Sequence, residues 1–187
     1  MARIGLNNFR YGILTEAQDG TPSYAGALIP GKAISCNVEV SNNSAKLYAD
    51  DVEQETDTSF AGGTVTIGLD RADYTTQSTM LGHNYSEENG MIRNSNDVAP
   101  YIGFGRVIKL MIDGALKWKV EFLYKVKMAE ASQTDTTEGE TVEFGTVEMQ
   151  GQVMQLANGN WSITKTFDTK AEAISYLEGL LTTTPSA

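Results

Sequence analysis

The stretch "LYADDVEQETDTSF" places Asp50, Asp51, Glu53, Glu55 and Asp57 close together, with no Lys or Arg among them. Carboxylates at this density can hold a divalent cation, act as paired acids on a glycosidic bond, or attract a cationic partner. The spacing does not suit an EF-hand: the central glycine is missing and the ligand positions fall at the wrong intervals. No aromatic platform can be assigned around the acids, which a sugar cleft would need. A solvated charge cluster on a loop, about residues 49–62, is the plainer reading.

The other reactive side chains are isolated. His83 is the only histidine, so no second imidazole can share a site with it. It follows Gly82 at an expected helix end, where the backbone dipole favours a positive charge. Cys36 is the only cysteine, which excludes a disulfide framework and a thiolate zinc site. It alternates with apolar neighbours and reads as a small core residue. "GFGRV" (Gly103–Val107) holds only G-x-G inside a strand pattern; its glycines suit a bend or a close backbone approach, not a nucleotide. Lys117, Lys119, Lys125 and Lys127, with Arg106 and Lys109 nearby, are the best nucleic-acid candidates. No aromatic row interleaves with them, so a solvated or subunit-contacting strand face is preferred. No catalytic residue, cofactor site or metal site is assigned.

These residues sit on a chain of 187 residues, a length that suits one domain spanning 1–187. The formal charge of −10 argues against a protein that grips nucleic acid through phosphates. It is compatible with one past which DNA moves without being held. "MARIGLNNFRYGIL" lacks the apolar centre of a signal peptide, and no stretch approaches the length of a membrane span. A cytoplasmically made protein without a membrane anchor is expected.

The periodicity is mostly two. In "KAISCNVEVS", Ile34, Cys36, Val38 and Val40 alternate with Ser35, Asn37, Glu39 and Ser41, which predicts a half-buried strand. Asn42-Asn43 would turn the chain into a return strand, "AKLYA". "GTVTIGL" is a further short strand. Asp113-Gly114, between two apolar runs, predicts a type I′ hairpin. After it, Trp118, Val120, Phe122, Tyr124, Val126 and Met128 would share one face, with Lys117, Lys119, Glu121, Lys125 and Lys127 on the other. Asn158-Gly159 predicts a second hairpin, returning through Trp161, Ile163 and Lys165. Gly145 and Gly151 would mark bulges or bends. Thr169 and Glu172 form a capping box that opens an amphipathic helix over about 169–181. "DRADYTTQSTMLGH" would be a second helix, capped by Asp70 and ended by Gly82. An N-terminal arm of about 1–12 and a polar loop of about 129–141 complete the reading. The class is mainly β: a sandwich or barrel of two packed antiparallel sheets, with one or two flanking helices and long loops.

Taken in order, "ARIGLNNFRYGILTE", "KAISCNVEVSNNSAKLYADD", "PYIGFGRVIKLMIDGALKWKVEFLYKVKM" and "TEGETVEFGTVEMQGQVMQLANGNWSITKTFDTKAEAISYLEG" resemble the major tail proteins, or tail-tube proteins, of phages with long non-contractile tails. No fragment is diagnostic alone; the ordered set carries the resemblance. "TEGET" replaces the "TKGES" expected near Thr137, with the loss of one positive charge. The resemblance implies a β-sandwich flanked by a helix, forming hexameric rings that stack into a hollow tube. Sheets of six subunits would join around a lumen crossed by double-stranded DNA, with no catalytic residues. It implies a virion location, and tape-measure, tail-tip and tail-terminator proteins as partners. A carbohydrate- or host-protein-binding sandwich, and a small hydrolase using the acidic loop, are the alternatives.

On the tube reading, a lumen face should lack cations. The strand presenting Ser35, Asn37, Glu39 and Ser41 qualifies, as does the one presenting Glu148, Gln150 and Gln152. Glu39 and Glu148 are the lumen-facing acidic candidates. The acids from Asp50 to Asp57 would face the lumen or a basic face, such as Lys117–Lys127, on a neighbour.

Overall fold

A computed structural model describes residues 2–49, 52–71, 73–130 and 147–182, with the backbone alone at 45–49 and 52–58. The strands are β1 (Ala2–Glu16), β2 (Pro22–Leu28), β3 (Ala33–Ala49), β4 (Val52–Leu69), β5 (Asn84–Ser86), β6 (Gly90–Ile92), β7 (Tyr101–Ile112), β8 (Ala115–Met128), β9 (Val147–Met154) and β10 (Ser162–Phe167). The helices are α1 (Tyr74–Leu81) and α2 (Lys170–Leu181). The chain is mainly β, with two antiparallel sheets and two helices, as in a β-sandwich with flanking helices. The eight-stranded sheet runs β2-β1-β7-β8-β9-β4-β3, with β10 also on β8; β5 and β6 form the small sheet.

The β7–β8 hairpin turns where expected. Asp113 and Gly114 both have positive φ, 49° and 79°, which is the type I′ geometry that follows the twist of the strands. Further along, Ile102 pairs with Val126 but Phe104 pairs with Leu123, so β8 carries an extra residue there. Such a bulge reverses the faces of the residues beyond it. Val120 and Phe122 therefore join one core, while Leu123, Val126 and Met128 join another. The single apolar face expected from Trp118 to Met128 is thus corrected, and the lysines divide as well. Lys119 shares the face of Glu121, whereas Lys125 and Lys127 lie on the opposite face over the Tyr101 ring.

The bulge also explains why β9 and β10 do not form the expected second hairpin. Both pair with β8, on the same side and end to end: Met154 lies opposite Lys125, and Ser162 opposite Leu123. The segment between them loops out, with Gly159 at φ 85° and its N–H donated to the Leu156 carbonyl. Beyond the bulge, β8 leads through β9 to β4 and β3; before it, β8 pairs with β10. One strand thereby serves both layers.

The layers enclose the first core. Val65, Ile67 and Leu69 of β4 and Met149 and Val153 of β9 face Phe9, Tyr11, Ile102 and Phe104 of β1 and β7. Helix α2 covers the other face of β7 and β8, placing Ala173, Leu177 and Leu181 against Val107, Val120 and Phe122. Its capping box is complete: Thr169 Oγ1 accepts from the Glu172 N–H (3.3 Å), and Glu172 accepts from the Thr169 N–H (3.2 Å). The helix sits this close because β7 has Gly105 beneath it, where a Cβ would lie 2.2 Å from Leu177 Cδ1. Gly103, two residues earlier, makes room for two rings instead. A Cβ on Gly103 would lie 2.4 Å from the Tyr24 ring and 2.6 Å from the Phe122 ring.

Other expectations change. Residues 2–12 are not a free arm: β1 pairs with β7 from Ala2 to Ile13, which places them in the sheet. Asn42-Asn43 is not a turn, because β3 runs through it to Ala49 while pairing β4. The acidic stretch is therefore not a loop; Glu53, Glu55 and Asp57 lie in β4, while Asp50 and Asp51 fall outside the described residues. Helix α1 is preceded by Asp73 rather than capped by Asp70, which instead accepts from the Lys32 and Arg71 N–H groups. Gly82 ends it in the left-handed conformation, as expected. Gly151 is not a bulge; it makes room for Met128 and Val126 within regular pairing. Gly145 and most of the expected 129–141 loop lie outside the described residues.

Gly103→Ala should cost about 1–3 kcal/mol, because two rings must move from a packed site. Gly179→Ala, in α2 where a Cβ meets open space, should be neutral or stabilising by up to about 1 kcal/mol. Denaturant midpoints of the two variants check the assignment.

Candidate functional site

Two strands picked out for their polar faces are brought together through β4. Ser35 lies in register with Gly68 and Glu148, Asn37 with Thr66 and Gln150, and Glu39 with Thr64 and Gln152. Their alternation is set by the inward partners: Val65 and Ile67 on β4, and Met149 and Val153 on β9, are buried. The outward side chains make a polar surface whose only charges are the carboxylates of Glu39 and Glu148. Glu39 Oε1 accepts from Asn37 Nδ2 at 2.9 Å. Ser41 continues the β3 row and is exposed. Thr64 and Thr66, central to the surface, had not been singled out, although "TVTI" carries the same alternation.

This surface has a margin on each side. On one, β3 is the terminal strand and has no partner along its outer edge among the described residues. Its inward row is incompletely covered, with Ile34 51 % and Val40 42 % exposed. On the other, Gln152 lies in register with Lys127. The lysine-bearing β8 strand therefore borders the polar surface. Both nearby lysines are engaged: Lys125 donates to Glu16 Oε2 at 2.6 Å, and Lys125 and Lys127 lie 4.8 and 5.5 Å from the Tyr101 ring centre.

The other cations singled out from sequence are also engaged within the chain. Lys117 pairs with Asp168, and Lys119 with Glu121. Lys109 lies over the Trp118 ring. Arg106 is buried between the layers, not displayed on a basic face. Its Nε donates to Glu121 Oε2 (2.9 Å) and its Nη1 to the Cys36 carbonyl (3.0 Å), which ties β7 to β3 across the sandwich. Burial raises the Glu121 carboxyl, but Lys119 and Arg106 outweigh it and hold the group below its ordinary range. Burial pushes the Cys36 thiol up, away from nucleophilic use.

The Arg106–Glu121 pair floors a cleft of about 240 Å³ between β3 and β10. Trp161 lines it, but the Trp161 ring is stacked on Phe60 at 4.7 Å and 7° between planes. That covers one flat face of the aromatic that a sugar would use. Among the described residues, no group of three or more His, Cys, Asp and Glu side chains is placed to hold a metal ion. No family model matches the chain, and no curated protein is similar to it.

Glu121→Gln should destabilise by about 2–3 kcal/mol, since hydrogen bonds to two charged partners are weakened in a buried setting. Glu121 has a lowered folded pKa, so its contribution is present above the ordinary value of about 4.5 and is lost as pH falls through the folded value. Acid unfolding curves should therefore be shallower for Glu121→Gln than for the unsubstituted chain.

Proposed function

We propose that this protein is the structural subunit of a phage tail tube, polymerising as stacked hexameric rings that enclose a lumen for double-stranded DNA. The observation that carries the reading is the union of Glu39 and Glu148 on one polar surface beside an unpaired strand edge. It acts together with the whole-chain resemblance. A conduit must pass a polyanion without holding it. Exposed lysines repeated around every ring would bind phosphates in a salt-dependent manner. A surface of amides, hydroxyls and carboxylates repels or ignores the duplex.

The same strands supply a means of closure. Among the described residues the outer edge of β3 has no strand partner, and its apolar row is half-covered; another copy could cover both. Joining this edge to a different edge of the next copy is a heterologous contact, which closes into a ring when the rotation permits. Beyond Gly62, β3 and β4 pair only with each other among the described residues. A lone two-stranded ribbon is marginal in water, so contact with a neighbour would stabilise it. Of the acids singled out from sequence, Glu53, Glu55 and Asp57 belong to this ribbon, while Asp50 and Asp51 lie outside the described residues. Their proposed meeting with a neighbour's Lys117–Lys127 strand is weakened, because those lysines already have partners in their own subunit. The tape-measure, tail-tip and terminator proteins are the expected partners in the virion, and no chemistry is assigned.

Sedimentation and negative-stain microscopy at high concentration, or with a tail-tip initiator, should show rings or tubes; monomers alone under both conditions would overturn the reading. In particles, Glu39→Lys with Glu148→Lys should leave folding intact and slow DNA ejection, with greater sensitivity to salt. Normal ejection combined with failed assembly would place these residues at subunit contacts instead.

A further inference from the structure

Away from the polar surface, His83 joins three parts of the fold. Its side chain is 6 % exposed, and each ring nitrogen meets a carboxylate. Nδ1 lies 2.7 Å from Asp97 Oδ2, and Nε2 lies against Glu130 Oε1. Asp97 belongs to the 94–97 turn and also accepts the Asn94 N–H at 2.8 Å. Glu130 follows the end of β8. His83 itself follows Gly82, whose N–H and that of His83 both go to the Ser78 carbonyl at the end of α1.

A neutral imidazole has one N–H and one lone pair. It can donate to one carboxylate only, and would turn its lone pair toward the other. An imidazolium donates to both. We propose that His83 is a protonation-operated latch: charged, it ties the end of β8 to the α1–β5 junction and the 94–97 turn, and neutral, it releases the β8 end. Glu130 is the partner released, because it is 54 % exposed and regains water, whereas Asp97 keeps its bond from Asn94. Asp97 and Glu130 sit on opposite ring nitrogens, so the three groups do not converge as metal ligands would.

The charged surroundings agree in sign. Around the ring are two carboxylates, the carbonyl end of α1, and two cations. Arg93 Nε is 3.7 Å from Glu130 Oε2, and Lys127 lines the same cavity of about 370 Å³. Leu81, Asn94, Val98, Ala99 and Met128 complete the lining. The Asp97 bond, opposed by burial and reinforced by Glu130, holds the imidazole above its ordinary value of about 6.5. The latch is therefore complete below that value, and opens as pH rises through the raised folded pKa. This inference stands independently of the tube reading.

One histidine in the chain means one imidazole signal in NMR of ring-labelled protein. Its titration midpoint should lie above 6.5 and move down in Asp97→Asn and Glu130→Gln. A midpoint at or below 6.5, or one unmoved by both substitutions, would overturn the latch. Amide exchange at Ala129, whose N–H is donated to the Gln150 carbonyl at 2.7 Å, reads the strand end. Protection, corrected for intrinsic exchange, should fall several-fold as pH rises through the midpoint in the unsubstituted chain, and stay low and level in His83→Gln. Should His83→Gln fail to fold, Glu130→Gln serves in its place with the same expected result. Equal pH dependence in the unsubstituted chain and the folded variant would refute release of the strand end.

Discussion

Strand β8 is hydrogen-bonded to β7 over nearly its whole length, yet its other side must serve two layers. The extra residue between Leu123 and Val126 makes this possible. It leaves backbone groups out of the regular ladder, and these need partners if the bulge is to persist. The partners come from outside the β7–β8 pair: the Tyr24 hydroxyl donates to the Tyr124 carbonyl at 2.8 Å, and the Tyr124 N–H is donated to the Trp161 carbonyl at 3.1 Å. Burial raises the Tyr24 phenol, so it remains a donor throughout the physiological range. The Tyr24 ring occupies the space above Gly103, which lies between the two register points of the bulge. A glycine, a phenol and one extra residue therefore act as a unit. Without them β8 would keep one face throughout, and Val126 and Met128 could not reach the core that Leu123 enters.

The same bend decides where charge can go. Before it, the polar face of β8 points into the sandwich, so Glu121 meets Arg106 and Lys119 there. After it, Lys125 and Lys127 emerge on the outer surface, where Glu16 and Tyr101 take them up. Cations that read as one basic strand face are divided by geometry, some paired with carboxylates and others held over aromatic rings. The chain's acidic excess thus has few uncommitted counter-charges to oppose it. On the proposed reading, pairing within the subunit, and not omission of lysine alone, would let the surface pass a polyanion without holding it.

Much of this was legible. Local alternation predicted the inward and outward sets of β3 and β9, and Asp113-Gly114 located the strongest turn. Counting outward from that turn places Arg106 opposite Glu121 and Lys109 opposite Trp118, so the buried ion pair was available from sequence once the turn type was taken seriously. What could not be read was the bulge: no residue in "EFLYKVK" announces an extra position, because the groups that hold it, Tyr24 and Trp161, are distant in sequence. The failure to see β9 and β10 as end-to-end partners of β8 follows from the same omission. The long β3–β4 ribbon was missed for another reason. Asn42-Asn43 has turn chemistry, but pairing across to Phe60 and Ser59 outweighs that local preference. The His83 latch was invisible because Asp97 and Glu130 are distant in sequence and unremarkable alone.

The polar surface and the unpaired β3 edge bear on each other in the proposed assembly. An edge strand with half-covered Ile34 and Val40 invites pairing with another copy, including pairing in wrong registers. Glu39 lies on that strand, and the acids of the ribbon continue from it. Two copies meeting edge to edge in the same orientation bring like charges together, which costs free energy that a neutral strand would not. Encounters that place this edge beside a different, less acidic one avoid the cost. Charge on β3 would therefore act twice: it selects heterologous over self-complementary pairing, and, once rings close, it lines the space they enclose. The first role operates between subunits before assembly and the second on DNA after it. A single substitution at Glu39 should then disturb both association order and passage, even though the residue is exposed and contributes little to the fold of one subunit.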